Sequence, residues 1–366
     1  MRVVFLIVII IHGLIHLLGF VKAFGISDIK EMTSPISKPL GILWLLCTVL
    51  FIIYGIAYFV GNKNAWLFGL VAVILSQLLI VWFWKDAKFG SIPNLIILLS
   101  VLISIASVNF NKMVALETTQ ILSTVFNNPS KIITLQDIST LPAPVQKWIK
   151  STGIIGKSEI KLAWVKQKAL MKLKPDQKDF YAAEALQYST IENPAFIWTV
   201  TLDMMYIINI KGRDKFIDGK GEMLIKVNSL IPIVNESGKK LDESSMQRYL
   251  GEMVWLPSLA LSPYVTWEKI DDLSAKATMN YMGTSGSGTF YFNEKGDFIK
   301  FIALRYKGNE PDSKRYPWVL TVDDSATFGG IKVPSKMKAT WMLDEGDWTW
   351  LKLEIVDIKY HENSLP

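Results

Sequence analysis

The stretch Gly288–Tyr306, GTFYFNEKGDFIKFIALRY, predicts two β-strands joined by a turn. Aromatic and β-branched residues dominate both halves, and Asn293–Asp297 supplies the polar residues and the glycine typical of a hairpin turn. Both faces of the second strand carry apolar residues. One face has Phe298, Ile302 and Leu304, and the opposite face has Ile299, Phe301 and Ala303. Because an antiparallel sheet needs only one covered face, this pattern predicts a sheet that is covered on both.

The same pattern continues through most of the chain beyond Gly153. Turns at Asp218–Gly221 (DGKG) and Asp344–Asp347 (DEGD) separate neighbouring runs, and two helices are expected at 141–153 and 241–254. The candidate strands are 159–173, 181–190, 196–210, 215–217, 222–229, 264–268, 275–281, 288–293, 298–306, 318–323, 331–343 and 348–360. We therefore predict an α+β domain with a large curved antiparallel sheet and a few helices. Its second face would be covered by the chain's own helices, by the membrane surface or by a bound apolar ligand.

The N-terminal part contains four apolar runs near the length that crosses a bilayer, at 3–21, 40–60, 66–84 and 92–110. The first run lacks a small-residue cleavage site, so we expect it to be retained. The predicted organisation is a four-helix transmembrane domain (1–111), a connector (112–140) with a short helix at 117–126, and the β-rich domain (141–366). Lys and Arg are more frequent in the first and third loops, which predicts an inner-membrane protein whose C-terminal domain is extracytoplasmic.

Charge and cysteine content exclude several classes of function. The net charge is +6, but residues 1–113 hold eight Lys/Arg against three Asp/Glu, while the rest is almost balanced. The basic excess thus flanks the membrane runs and predicts no nucleic-acid partner. Cys47 is the only cysteine, so no intrachain disulfide or cysteine-based zinc cluster can form.

His12 and His16 lie four residues apart in the first apolar run and so share one face of a helix. A polar pair inside a membrane segment is a candidate for function. We expect both imidazoles to face the bundle interior and to bond to backbone carbonyls, to Ser76, to Gln77 or to each other. The alternative is a membrane redox, metal or proton-linked protein that uses these histidines. No cofactor and no metal site are predicted.

The search for catalytic motifs favours a binding protein over an enzyme. Outside the membrane runs the only histidine is His361, so a Ser-His-Asp site has no obvious base. The stretch Gly283–Gly288, GTSGSG, does not match the nucleophile elbow and predicts a glycine-rich hairpin instead. No phosphate loop or dinucleotide fingerprint occurs.

The densest group of functional residue types is Gln247–Pro257, QRYLGEMVWLP. Arg248 and Glu252 are spaced to pair on a helix, which would place a charged pair over an aromatic wall. The alternative is an amphipathic helix that caps the sheet and carries a surface ion pair that contributes little to stability. The candidate ligand-binding residues are Arg248, Tyr249, Glu252, Trp255, Trp198, Arg305 and Tyr306.

Five stretches carry a resemblance to an uncharacterised bacterial family: Leu141–Ile149 (LPAPVQKWI), Gly153–Gly156 (GIIG), Asp218–Met223 (DGKGEM), Arg248–Pro257 (RYLGEMVWLP) and Gly288–Tyr306. The match covers residues 135–360, and its members often carry transmembrane segments. Trp148-Ile149 departs from the Tyr-Leu usual there. The family has no assigned activity, so the resemblance implies no catalytic residue.

The stretches Gly288–Gly296 (GTFYFNEKG) and Gly329–Pro334 (GGIKVP) are similar in their strand-turn spacing to the LolA-type lipoprotein carriers. That resemblance implies a curved sheet that holds acyl chains against helices. The leading hypothesis is a membrane-anchored domain that binds a lipid or another apolar ligand at the membrane surface. Membrane lipids are the expected partners, and the sequence does not identify a protein partner. A third possibility is an envelope scaffold or sensor with a protein interface around Trp255.

Overall fold

The structure is a computed structural model that describes residues 2–125, 130–205 and 208–361. The chain divides into two compact units. A helical unit comprises Met1–Lys112 with Asn228–Leu230, and a β-rich unit comprises Met113–Val227 with Ile231–Pro366.

The helical unit follows the predicted apolar runs. Its helices are α1 (Arg2–Ile15), α2 (Leu17–Ala23), α3 (Lys38–Phe59), α4 (Ala65–Trp82), α5 (Trp84–Ala87) and α6 (Ser91–Ser123), with a 3₁₀ turn at Lys88–Gly90. Four helical segments of the described chain are long and apolar enough to cross a membrane. Close packing at Gly19 illustrates why small residues occur here, since a Cβ there would lie 2.3 Å from the ring of Trp44.

Helix α6 corrects the predicted boundary between helix and connector. The helix was expected to end at Phe110, but it continues to Ser123. Residues 111–123 contain no glycine or proline that would end it. The second half is stabilised from the β-rich unit, where Ile121 packs against Leu162 and Ile197, and Glu117 pairs with Arg213. Phe126, the expected end of the short connector helix, lies outside the described residues.

The β-rich unit contains one antiparallel sheet of 13 strands within the described residues. The strands are β1 (Leu162–Met171), β2 (Tyr181–Thr190), β3 (Ala195–Met205), β4 (Ile208–Ile217), β5 (Lys220–Val227), β6 (Ile231–Ser237), β7 (Val265–Lys269), β8 (Ser274–Tyr281), β9 (Thr284–Phe292), β10 (Phe298–Tyr306), β11 (Arg315–Phe328), β12 (Ile331–Leu343) and β13 (Gly346–Tyr360). Consecutive strands pair in two meanders, β1–β6 and β7–β13. The pairing of β1 with β13 joins the meanders into one sheet.

Twelve strands were predicted, and the differences have local causes. The expected strand 196–210 divides into β3 and β4, and residues 206–207 between them are not described. Strand β6 was missed because it contains Pro232, which is typical of an edge strand, and it does lie at the sheet edge.

The predicted facing of Phe298 is wrong. A register shift between Phe298 and Lys300 marks a β-bulge, which turns the side chains that follow it by one position. Phe298 is therefore buried with Phe301, while Leu304 is exposed.

The sheet curls around its own helices. Helix α8 (Lys239–Gly251) packs against β4 and β5 and also against β9 and β10, although six strands separate β4 from β10 in the sheet. Helix α7 (Ala143–Ser151) covers β8, and 3₁₀ turns at Glu252–Trp255 and Pro257–Leu261 follow α8. The predicted curved antiparallel sheet is thus confirmed, and the chain's own helices cover one face of it and a small part of the other.

The glycine-rich stretch 283–288 is part of a hairpin, as predicted. Tyr281 pairs with Thr284 at the turn between β8 and β9. A Cβ at Gly288 would lie 2.2 Å from the ring of Phe301, and a Cβ at Gly286 would lie 3.0 Å from the side chain of Gln247. These glycines let β9 pass close to the aromatic core and to α8.

Candidate functional site

The candidate site is a cavity of about 300 Å³ between the C-terminal end of α8 and the curled sheet. Its aliphatic lining comprises Met223, Leu320, Met337, Ala339, Leu351 and Leu353. Six of the chain's 13 tryptophans also line it: Trp198, Trp255, Trp318, Trp341, Trp348 and Trp350. The polar lining residues are Asp214, Arg248, Glu252, Arg305 and Lys338. The cavity is therefore an apolar space with a few charged groups, which is the usual composition of a small-molecule site.

The aromatic wall is built by cross-strand pairing on β11, β12 and β13. Trp341 lies opposite Trp318 on one side and opposite Trp348 on the other. Directly opposed aromatic residues stabilise antiparallel pairs. The turn that follows Leu343 sets the register of β12 against β13, so it places Trp341 and Trp348 side by side.

Arg248 holds the helix to the sheet beside the cavity. Its Nη1 lies 2.6 Å from Asp214 Oδ2, and its Nε lies 2.7 Å from Glu252 Oε1. Its Nη2 donates to Gln187 Oε1 at 3.2 Å, and the guanidinium lies 4.8 Å from the ring centroid of Trp198. Burial disfavours the charge, but Glu252 and Asp214 outweigh it and raise the pKa of Arg248.

The alternative interpretation of a surface ion pair is wrong, because the side chains of Arg248 and Glu252 are only 12% and 7% exposed. Gln187 reinforces the arrangement, since its Nε2 donates to Glu252 Oε2 at 2.7 Å. The pair is a fixed, hydrogen-bonded part of the wall.

Arg305 differs from Arg248 in the groups that surround it. It projects from β10 and lies over Trp318, with 4.2 Å between its guanidinium carbon and the ring centroid. Among the described residues it forms no ion pair, and its buried Nε has no hydrogen-bond partner. Burial, together with the charge of Arg248, lowers the pKa of Arg305 to about 9 against the opposing effect of Asp214 and Glu252. The guanidinium is therefore still a cation at neutral pH.

Further polar atoms of the lining lack partners. The indole Nε1 atoms of Trp318, Trp348 and Trp350 are buried and have no acceptor among the described residues, and Asp214 Oδ1 likewise has no donor there. Such buried groups cost free energy until something bonds to them. Among these unbonded buried atoms, hydrogen-bond donors outnumber acceptors.

Five of the seven residues expected to bind a ligand line this cavity: Arg248, Glu252, Trp255, Trp198 and Arg305. Tyr249 does not, because it is fully buried in the core, where its hydroxyl donates to the Thr190 carbonyl at 2.6 Å. Tyr306 lies elsewhere on β10, within 4.3 Å of the Arg315 guanidinium. Trp255 is only 2% exposed, so it cannot form the protein interface of the scaffold hypothesis.

The sequence analysis missed Asp214 and four of the tryptophans. The available signal was the spacing of Trp341, Trp348 and Trp350 around the turn at 344–347, which predicts neighbouring aromatic side chains on a hairpin. Asp214 had no local signal, because it reaches the cavity through the packing of β4 against α8, whereas Trp318 reaches it through the pairing of β11 with β12.

His12 and His16 lie in the interior of the helical unit, 3% and 1% exposed. His16 Nδ1 donates to the His12 carbonyl at 2.8 Å, and its Nε2 therefore accepts from the Ser76 hydroxyl at 2.9 Å. His12 Nε2 lies 2.8 Å from Asn94 Oδ1, and Asn94 donates to Gln77 Oε1 at 3.1 Å. This is the interior arrangement that was expected, with Asn94 as an additional partner.

Another cavity, of about 280 Å³, is lined in part by the two histidines and Asp86. Within the described part of the chain no three or more His, Cys, Asp or Glu side chains are grouped as metal ligands.

The comparison with family models finds a match over residues 131–353 to a family of unknown function, DUF6544. No curated protein matches the chain in sequence. A LolA superfamily protein from Nitrosomonas europaea is similar in structure, with 13% identity, a TM-score of 0.33, and coverage of 64% of this chain and 96% of that one.

A β-barrel-like protein from Brucella abortus, whose domain DUF1849 is also of unknown function, shows 8% identity and a TM-score of 0.18 over 56% of this chain and 99% of that one.

Proposed function

The chain belongs to this family of unknown function, and we propose that its β-rich unit binds an apolar molecule in the tryptophan-lined cavity. The observation that carries the proposal is the cavity itself: about 300 Å³ enclosed by a helix end and a curled sheet, with a wall of tryptophan and aliphatic side chains. Filling such a space with hydrocarbon removes apolar surface from water, at about 25 cal/mol per Å².

The volume limits the ligand. Cavities for drug-sized molecules span about 300–1,000 Å³, so this one is at the small end of that range. One hydrocarbon chain or one ring system fits this volume better than a complete phospholipid.

The four apolar helical segments support a membrane setting for this ligand. A lipid or its acyl chain is the apolar molecule available at a membrane surface. In this proposal the helical unit anchors the protein in the inner membrane, and the Lys/Arg bias of the loops places the β-rich unit on the extracytoplasmic side.

The test uses the full chain, extracted into polymer-bounded native nanodiscs because detergent would compete for an apolar cavity. Ala339→Phe fills the cavity from β12, and Leu304→Phe places the same ring on an exposed position of β10. A nitroxide-labelled long-chain fatty acid should quench tryptophan fluorescence in the wild type and in Leu304→Phe. That quenching should be largely lost in Ala339→Phe. Equal quenching in all three proteins would refute the proposal.

A further inference from the structure

We infer that the cavity selects an amphiphile with an anionic end, a carboxylate or a phosphate, and that Arg305 is the group that pairs with it. This inference rests on the proposed apolar site and adds to it the chemistry of the ligand's polar end. The argument depends on which charged groups of the cavity are already bonded and which are not.

Arg305 is the cation of the described cavity lining that lacks an ionic partner. Arg248 is bonded to Asp214 and Glu252 at 2.6 and 2.7 Å, and Lys338 is paired with Asp323 at 2.8 Å. Arg305 makes no such pair with the described residues, and the ring centroids of Trp318 and Trp341 lie 4.2 and 5.7 Å from its guanidinium carbon. The Nε of Arg305 is buried and has no acceptor among the described residues, which costs free energy because this donor has lost water without gaining a partner.

The neighbouring donors point to the same kind of ligand group. The indole N–H groups of Trp318, Trp348 and Trp350 are buried and unbonded in the described structure, as is Arg305 Nε. Among the described lining residues one buried acceptor atom is also unbonded, Asp214 Oδ1, and its carboxylate pairs with Arg248. A ligand group with several acceptor oxygens would satisfy the excess, and a planar guanidinium binds carboxylate or phosphate through paired hydrogen bonds.

Net charge does not oppose an anion here. The charges of Arg248 and Arg305 equal those of Asp214 and Glu252, so an arriving anion meets a cluster of zero net charge in which Arg305 has no ion pair among the described residues. Both acids are held by Arg248, and Gln187 also binds Glu252, so neither has to move. The aromatic faces beneath Arg305 fix the guanidinium without using its donors.

The experiment compares three probes with one hydrocarbon chain and one nitroxide label: the carboxylate, its methyl ester and the monoalkyl phosphate. Each is titrated against the full chain in nanodiscs, after its partition into protein-free nanodiscs is measured. Quenching that Ala339→Phe abolishes counts as cavity binding. In the wild type we expect the carboxylate or the phosphate to bind at least tenfold more tightly than the ester. Whichever of the two anionic probes binds more tightly shows whether the natural ligand carries a carboxylate or a phosphate.

Arg305→Gln and Arg305→Lys separate anion pairing from a structural role. Arg305→Gln should reduce the preference for the anion over the ester to less than about twofold, and Arg305→Lys should keep part of it because the charge remains. If ester and anions bind alike to the wild type, or if Arg305→Gln keeps the preference, the anion assignment is wrong while the apolar site stands. If no probe gives quenching sensitive to Ala339→Phe, the proposed function itself is wrong.

Discussion

The guanidinium of Arg248 lies 2.6 Å from the carboxylate of Asp214 and joins helix α8 to strand β4 at the wall of the cavity. The two side chains are 12% and 8% exposed. Their sequence separation is 34 residues, so the pair forms only when α8 packs against β4.

Asp214→Asn should destabilise the β-rich unit by about 2–4 kcal/mol, since removing one partner of a buried pair leaves the other charge poorly compensated. The measurement is the midpoint of thermal unfolding, followed by tryptophan fluorescence of the full chain. The matched control is Asp272→Asn, which breaks an ion pair with Lys269 whose carboxylate is 92% exposed. It should cost less than about 1 kcal/mol. Equal effects of the two substitutions would contradict a buried role for Asp214.

Tyr249 should make the unit sensitive to alkaline pH. Burial, with smaller contributions from Tyr281 and Glu252, raises the pKa of this phenol far above its usual range. The unfolded chain therefore loses the phenol proton near pH 10 while the folded protein keeps it. The stabilising contribution is complete below pH 10 and is lost as pH rises above it, by up to about 1.4 kcal/mol per pH unit.

Urea unfolding between pH 8 and 11.5 tests this dependence. Tyr249→Phe should show a shallower loss of stability above pH 10 than the wild type. At pH 8 it should be about 1–3 kcal/mol less stable, because the Thr190 carbonyl loses its donor. If the stability of the wild type and of Tyr249→Phe fell equally with pH, the pKa of Tyr249 would be the same in the folded and the unfolded chain.

Gly288→Ala should be strongly destabilising, since the new methyl group would lie 2.2 Å from the Phe301 ring. Overpacking of this kind costs about 1–3 kcal/mol or more. Phe301→Leu removes the ring and should rescue part of that loss when combined with Gly288→Ala. The free energies of unfolding of the wild type, the two single variants and the double variant are compared in a double-mutant cycle. Simple additivity would mean that the ring is not the obstacle.

Asn94→Ala should loosen the helical unit by about 0.5–2 kcal/mol, because His12 Nε2 and Gln77 Oε1 both lose their partner in an apolar interior. Unfolding by sodium dodecyl sulfate, followed by circular dichroism, measures the effect. Ser104→Ala is the control, as that hydroxyl donates to the Ser100 carbonyl of its own helix. No difference between these variants would indicate that the polar network does not stabilise the unit.

Much of the secondary structure was predictable from local pattern. Strands β2, β10 and β12 have the bounds that period-two alternation predicts, and the four apolar runs match helical segments. The failures are also local in origin. A bulge in β10 reversed the facing of Phe298, and Pro232 concealed β6, because neither a bulge nor an edge position leaves a regular pattern in the sequence.

The candidate site was only partly predictable. Arg248 and Glu252 could be paired in advance because helix geometry fixes residues four apart. Arg305 and Trp198 were named as candidates without a known position, and Trp318 and Asp214 were not named at all.

The sequence by itself determined the apolar helices, the antiparallel strands, their turns and the paired charges on α8, because burial repeats with a period set by each element. The tertiary structure decided which side chains meet. Pairing of β1 with β13 and the curl of the sheet around α8 bring β4, β10 and β13 to one cavity. That convergence depends on many long-range contacts added together, so no short stretch of the chain encodes it.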